Sequence, residues 1–449
     1  MIKNSLRPFE IYGVIIFFVL SIIFCISVDI SMAYGFIVSL VAYTLFFIKK
    51  GFKWKDLFFM MLKGLRECKI LYVLILLIGA TVSIWLSSGI VPSMIYYGFK
   101  YMAGTNFLFA AFLLISFSAV FMGTAVGTVS TIGVAVLGIG LGFGIPSNVL
   151  IGMIVSGAFI ADKISPISGL LNLTLSTTNT RYKNVLKSMS VTLIPTFIIT
   201  SVIYYLLGTR FAGNIDLSSI NSLQTSIANS FYVSSYLLSV PVIMVLMSAF
   251  GVKIIYSILV SLFVGILISS LVQGFSIVQI IDFIIFGFKI NTGSSLDRIL
   301  ISGGVISMIE VLIIVIGAIS LSSIIEGTGV IDFFIDKFFK RIESKRELVL
   351  KTGLVSSILT TITCDQTMGI VLPSRILFHE YEKLKIKKEI LARTISDTGT
   401  IIAPLMPWNV NALLIAIVTG SSKGYIPFAV LCYIAPLVTI LVSYLDFEL

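Results

Sequence analysis

Residues 11–28, IYGVIIFFVLSIIFCISV, hold no charged side chain, and neither do residues 70–88, ILYVLILLIGATVSIWLSS. About 20 apolar residues in a helix cross the hydrocarbon core of a bilayer. Lipid offers no hydrogen bonds, so a spanning backbone must pair its own polar groups, as a helix does. Charged residues make up 12% of the chain and apolar residues 57%. A soluble domain carries roughly 25% charged and about 45–50% apolar residues. Mean hydropathy is +1.09. The fold class is therefore an all-α polytopic membrane protein.

The chain has 31 basic and 21 acidic residues, a net charge of +10. This excess is not a nucleic-acid domain. The basic residues cluster in short loops between apolar runs, as the positive-inside rule expects. Lys3 and Arg7 precede the first run, which is long, lacks a small-residue cleavage site and is followed at once by another. It reads as an uncleaved first helix. Segment 49–69, KKGFKWKDLFFMMLKGLRECK, has seven basic and two acidic residues and is assigned to the cytoplasm. Its Trp54, Leu57, Phe58, Met61, Leu62 and Leu65 share one helical face, which suits a helix lying along the membrane surface. The stretch 208–234 has only Arg210 and Asp216 and is assigned outside. The basic stretch 336–351 is assigned to the cytoplasm, as are both termini.

These anchors predict ten spans, near 10–28, 30–48, 70–90, 148–180, 188–207, 235–250, 253–273, 303–325, 389–420 and 425–446. Two apolar stretches remain, about 105–141 and 352–378. Each has a polar cluster near its middle, GTAVGTVST (123–131) and TITCDQTM (361–368). The charge pattern holds if each is a re-entrant hairpin. Loop 142–148 then lies outside and the basic loop 379–389 inside.

The halves match in order. ATVSIWLSSGIV (80–91) pairs with SLSSIIEGTGVI (320–331), and at the same offset Thr124 meets Cys364. ADKISPIS (161–168) pairs with SDTGTIIAP (396–404), setting Asp162 against Asp397. The interfacial helix recurs near 278–300. Residues 1–210 form a first repeat of five spans and a hairpin, 211–234 an external linker, and 235–449 a second repeat. Five spans is an odd number, so the second repeat is inverted. Inverted repeats with broken helices are the signature of secondary transporters.

Two segments carry the chemistry. SDTGTIIAPLMPWNVNA (396–412) puts a carboxylate, two prolines and two asparagines in an apolar stretch, and ADKISPISGLLNL (161–173) is similar. Proline removes a backbone donor, and broken backbone at membrane depth belongs where it lines a cavity. Both segments read as unwound helix middles, with hairpin tips approaching them. Candidate ion or substrate ligands are Thr124 and Thr128 in the first hairpin and Asp162, Ser165 and Asn172 in the first break. Asp365, Gln366 and Thr367 are their counterparts in the second hairpin, and Asp397, Thr400 and Asn409 in the second break. An acid within a span is a functional candidate by default, so Asp162, Asp365 and Asp397 are the expected Na⁺ ligands. The alternatives are an Asp397–Arg393 ion pair one turn apart, Lys163 as a partner for Asp162, and Asn172 and Asn409 as helix caps. Glu326 reads as a solvated interface residue, Trp408 as packing or a gate, and the glycines of 133–142 as close helix packing.

Other chemistry is absent from the sequence. Cys25, Cys68, Cys364 and Cys432 have no metal or redox spacing, and His379 sits alone in a charged loop. There is no phosphate-binding loop and no Ser/His/Asp or Cys/His constellation, so neither an enzyme nor a resident cofactor is expected. Na⁺ and H⁺ would be cargo. A channel is disfavoured by the repeat and by the lack of a continuous polar face along any span.

The chain resembles the NhaC-type Na⁺/H⁺ antiporter family, which includes sodium-coupled malate/lactate exchangers. The resemblance rests on IWLSSGIVPSMIYYG (84–98), GTAVGTVSTIGVA (123–135), GIPSNVLIGMIVSGAFIADKISPIS (144–168), TCDQTM (363–368) and RTISDTGTIIAPLMPWN (393–409). It implies a scaffold-plus-transport-domain fold and Na⁺/H⁺ exchange in the plasma membrane. A small organic acid or amino acid is the alternative cargo, and a homodimer with elevator-like movement is implied by the wider superfamily. The family's first break usually reads like DKMSPLSDTTN, whereas this chain has Gly169, Leu170 and Leu171 after Ser168. Ala125 and Val126 stand where the family has Ser-Trp, and Asp365 where it has Asn. Asp365 is thus expected to restore the charge missing at Gly169.

Overall fold

The computed structural model describes residues 7–28, 30–102, 104–212, 217–290, 303–330, 342, 344–420 and 424–445. Lys3, Asp216, residues 336–341 and 343 of the basic stretch, and residues 291–300 of the second interfacial segment lie outside these. Among the described residues every regular element is helical. Eight helices are long and apolar enough to cross a membrane, or up to ten if two bent pairs count as one span each.

The first half contains α1 (Pro8–Val28), α2 (Met32–Lys49), α3 (Trp54–Glu67), α4 (Lys69–Ser87), α5 (Ile90–Met102) and α6 (Phe107–Met122). Next come α7 (Ala125–Gly142), α8 (Ser147–Ala158), α9 (Ile160–Ile164), α10 (Gly169–Thr177) and α11 (Tyr182–Ala212). The rest contains α12 (Leu217–Ser230), α13 (Ser239–Ala249), α14 (Ile254–Leu271), α15 (Ile277–Phe286) and α16 (Ile309–Gly327). It ends with α17 (Lys345–Thr363), α18 (Gln366–Lys383), α19 (Lys388–Ile395), α20 (Val410–Thr419) and α21 (Val430–Tyr444).

Helix runs through each of the ten expected spans, but α21 is shorter than a spanning helix, and α7, expected as half of a hairpin, is itself long and apolar enough to cross. The α5 helix and α12 are additions. Gly89, at φ 77°, turns the chain after α4 and lets α5 start at once. The expected linker 211–234 is mostly α12, whose Ile220 and Ile227 are buried.

Burial follows helical periodicity. The α1 helix buries Ile11, Val14, Phe18, Ile22 and Cys25 on one face, against Phe36, Tyr43 and Phe47 of α2. Tyr43 Oη donates to Val14 O at 2.6 Å, and the Phe18 and Phe36 rings lie 5.5 Å apart. Ile16, Leu20 and Ile23 on the far face stay exposed, as lipid-facing side chains do. One core joins α1, α2 and α3 to α16, and a second, larger one joins α5–α8 to α11 and α21. In α7, Gly140 sits directly against Leu150 and Phe107. The glycines there serve close packing, as read from the sequence. All four cysteines are free, three of them buried.

The two polar clusters both form tight turns between helices. After α6, Gly123 takes the left-handed conformation (φ 68°) and Thr124 is extended and caps α7. After α17, Cys364 is left-handed (φ 60°) and Asp365 is extended and caps α18. In conformation Gly123 is like Cys364 and Thr124 like Asp365, one residue off the expected Thr124–Cys364 match. In both turns the left-handed step ends one helix and lets the next begin.

Gly123 also has no room for a side chain, since an added Cβ would strike Ile167. Left-handed backbone costs an L-residue roughly 1–2 kcal/mol. Gly123→Ala is therefore expected to melt well below wild type in detergent, and an unchanged melting temperature would refute the tight contact between turn and break.

Candidate functional site

The first break is short. Helix continues through Ile164, and then Ser165 (ψ 126°) to Ser168 (ψ 128°) are non-helical before α10 begins at Gly169. Pro166 leaves no donor to continue the ladder. Ser168 caps α10 by accepting from Leu171 N at 3.4 Å. Asn172 is no cap. Its Nδ2 donates to Pro166 O at 3.0 Å and Ser168 O at 2.9 Å, closing carbonyls that the break exposes. Ser165 Oγ donates to Val120 O at 2.5 Å, which ties the break to the end of α6.

The second break differs from expectation. Residues 396–400 are not unwound but form a π-turn after α19, followed by a 3-10 turn at 403–405. The backbone leaves helix only near Met406 (ψ 110°), before Asn409 caps α20. Pro404 sits where a 3-10 turn accepts proline, so the breaking is done by Pro407 and its neighbours. Asn409 accepts from Asn411 N at 3.0 Å. π-turns concentrate at functional sites, and a second one, Val129–Gly133, lies in α7.

Each turn docks on the break in its own half. Trp408 Nε1 donates to Thr361 O at 2.8 Å, and Val410 N to Cys364 O at 3.1 Å. Gln366 Nε2 donates to Thr400 O at 2.5 Å, while Asn411 Nδ2 donates to Gln366 Oε1 at 2.9 Å. Trp408 is thus anchored packing.

Both turns, the first break and the start of α20 border one cavity of about 870 Å³. Of the expected ligands, Thr124, Asp162, Asn172, Asp365 and Gln366 line it. Asp162 comes from α9 and Asp365 from the turn before α18, so the cavity unites carboxylates from the two halves. The Ala125 N–H, at the start of α7, points at the Asp162 carboxylate. Asp365 accepts from Thr367 N at 3.1 Å. Gly169 and Leu170 line the same wall, and nothing lies within 4 Å of the place a Cβ on Gly169 would occupy.

Ser165, Thr128, Thr367, Asp397, Thr400 and Asn409 are not in the cavity lining. Thr128 Oγ1 donates to Thr124 O at 2.8 Å. Asp397 is fully buried and forms an ion pair with Lys163, itself 1% exposed. It also accepts from Thr192 at 2.6 Å and Thr439 at 2.9 Å. Arg393 donates instead to Ser188 O at 3.4 Å. Lys163 thus turns from its neighbour Asp162 to the other half of the molecule, and neither sequence-adjacent pairing forms. No group of three or more His, Cys, Asp or Glu able to hold a metal occurs among the described residues.

The cavity also takes in Lys253 and Tyr256, at the start of α14, and Asn411. The sequence reading named none of them as ligands. Asn411 lay inside the second break but was masked by Asn409, and Lys253 looked like an ordinary loop cation.

A model of the Na⁺/H⁺ antiporter family matches residues 169–447. The chain belongs to the Na⁺/H⁺ antiporter family. The Na⁺/H⁺ antiporter NhaC of Alkalihalophilus pseudofirmus is 30% identical over 87% of this chain and 85% of its own length. The malate-2H⁺/Na⁺-lactate antiporter of Bacillus subtilis is 28% identical over 97% of this chain and 94% of its own. The arginine/ornithine antiporter ArcD of Halobacterium salinarum is 28% identical over 89% and 83%. Members of this family are transporters, and the many apolar helices make this one a multi-pass membrane protein.

Removing one partner of a buried ion pair leaves an uncompensated charge and costs about 3–5 kcal/mol, whereas an apolar pair of similar volume is close to neutral. Asp397→Asn is expected to lower the melting temperature sharply. Lys163→Met combined with Asp397→Leu is expected to recover most of the loss. No recovery in the double variant would show that the pair is not the source of the effect.

Proposed function

We propose that this protein is a plasma-membrane secondary antiporter that exchanges Na⁺ for H⁺ at Asp162 and Asp365. The observation that carries this reading is the shared cavity, which brings one carboxylate from each half to broken backbone. A carboxylate must lose its proton to bind Na⁺, so the two cations compete for one site and exchange follows. Carbonyl and amide oxygens around the breaks supply the further hard ligands Na⁺ prefers, and Asn172, with its amide nitrogen committed to two carbonyls, keeps its oxygen as an acceptor. Asp397, as the partner of Lys163, couples the two broken segments.

The matching turns and breaks support two inverted repeats, with α6–α7 and α17–α18 as re-entrant hairpins and both termini cytoplasmic. The resemblance to a superfamily of dimers supports a homodimer that moves its transport domain as a unit.

A second reading is favoured by the cavity's size and by Lys253. About 870 Å³ is far more than one Na⁺ needs, and the cavity has a cation as well as two acids. A small carboxylate or amino acid coupled to the same ions would use both poles. The relatives that exchange malate and lactate or arginine and ornithine are consistent with it.

Purified protein in liposomes with an internal pH dye, given external Na⁺, tests the first reading. Wild type is expected to give a Na⁺-dependent pH change, and Asp162→Asn and Asp365→Asn to abolish it. Near-normal exchange in Asp365→Asn would sink the assignment. A wild type silent to Na⁺, Li⁺ and K⁺ but taking up a labelled organic acid or amino acid would establish the second reading.

Position 169 gives an independent check. It begins α10, where the helix dipole favours an acid, and it has open space. Gly169→Asp in the Asp365→Asn background is expected to restore exchange, because the cavity regains its second carboxylate. Failure to restore it would mean that Asp365 acts through its own geometry and not through cavity charge.

A further inference from the structure

The amphipathic helix α3 is not used by the transport reading. It is held firmly on one side. Leu57 and Met61 are buried against α16, Gly64 sits directly against Ser323, and Gly327 against Met60. Contacts this close leave no freedom to roll, so the rest of the helix surface is presented in a fixed direction.

That surface has two parts. Trp54, 54% exposed, stacks on Phe58, 47% exposed, with ring centroids 6.2 Å apart, and Phe59 is 66% exposed. Such side chains are stable facing outward only if acyl chains or headgroups cover them. Beside them Lys55, Lys63 and Arg66 are exposed. None of the three is in a salt bridge among the described residues, although Lys63 lies within the field of Glu326. The acids Asp56 and Glu67 occupy the far edge of the helix, next to Lys63. Exposed aromatic side chains flanking a basic ridge suit the boundary of a bilayer leaflet containing anionic lipid.

We propose that α3 is a binding surface for anionic phospholipid headgroups, with Lys55, Lys63 and Arg66 facing the phosphates and Trp54 and Phe58 in the acyl boundary. The site sits beside the transport cavity. Cys68 alone separates α3 from α4, whose Ile70, Leu71 and Leu74 line the cavity wall. The inference does not depend on which solute is carried.

Quenching of Trp54 fluorescence tests it. The signal of Trp54 is isolated as the difference between wild type and Trp54→Phe, since Trp85 and Trp408 are common to both. Each is reconstituted in phosphatidylcholine bilayers with a minority of brominated phosphatidylglycerol or, at equal fraction, brominated phosphatidylcholine. The brominated anionic lipid is expected to quench Trp54 more strongly. The triple variant Lys55→Gln, Lys63→Gln, Arg66→Gln is expected to lose that preference, by about fivefold per cation removed, and high salt to weaken it. Equal quenching of Trp54 by the brominated phosphatidylcholine in wild type and triple variant shows that the helix stays seated. Equal quenching of wild type by the two lipids would overturn the proposal, as would a preference that survives in the triple variant. Relief of the preference by inorganic phosphate at constant ionic strength would assign the ridge to free phosphate and equally overturn it.

Discussion

A helix that stops inside an apolar slab leaves amides and carbonyls that no water can satisfy, and each such group costs several kcal/mol unless it finds a partner. Breaks of this kind lie at 165–168 and 406–409, and much of the surrounding structure meets their demands. Asn172 closes Pro166 O and Ser168 O. Cys364 O receives Val410 N, and Thr361 O receives Trp408 Nε1. The two turns are drawn onto the breaks because each supplies what the other lacks. The two turns, the first break and the start of α20 then face a common cavity.

The charges divide into two sets with different work. Asp162 and Asp365 border the cavity. Lys163 and Asp397 are sealed between the two halves. Consecutive residues, Asp162 and Lys163, thus point to different sets, because neighbours on a helix project about 100° apart. Adjacent positions of α9 therefore line the cavity and make the ion pair between the halves.

Much of the architecture was legible in the sequence because the bilayer simplifies the problem. Uncharged runs of spanning length have few alternatives to helix, so helix runs through all ten expected spans, although α7 is also of spanning length and α21 is short. The breaks were also legible, since Pro166 and Pro407 lie next to polar side chains in apolar surroundings. Boundaries inside the breaks were not. The π-turn at 396–400 is built from weak helix formers, SDTGT, and packs closely against α17 at Ser356 and Gly353. The α5 and α12 helices were missed because only Ser88 and Gly89 separate α5 from α4 and α12 is polar enough to pass for a loop.

By itself the sequence determined the membrane class, the helical spans, the places where helices must break and the acids worth watching. These follow from local chemistry: apolar length, proline's missing donor and the cost of charge in lipid. Only the tertiary structure decided which acids share a cavity, that Lys163 reaches Asp397 and not Asp162, and that Asn411 and Lys253 join the lining. Those outcomes depend on how the two halves meet, and contacts between residues more than two hundred positions apart leave no spacing or periodicity in the chain to read.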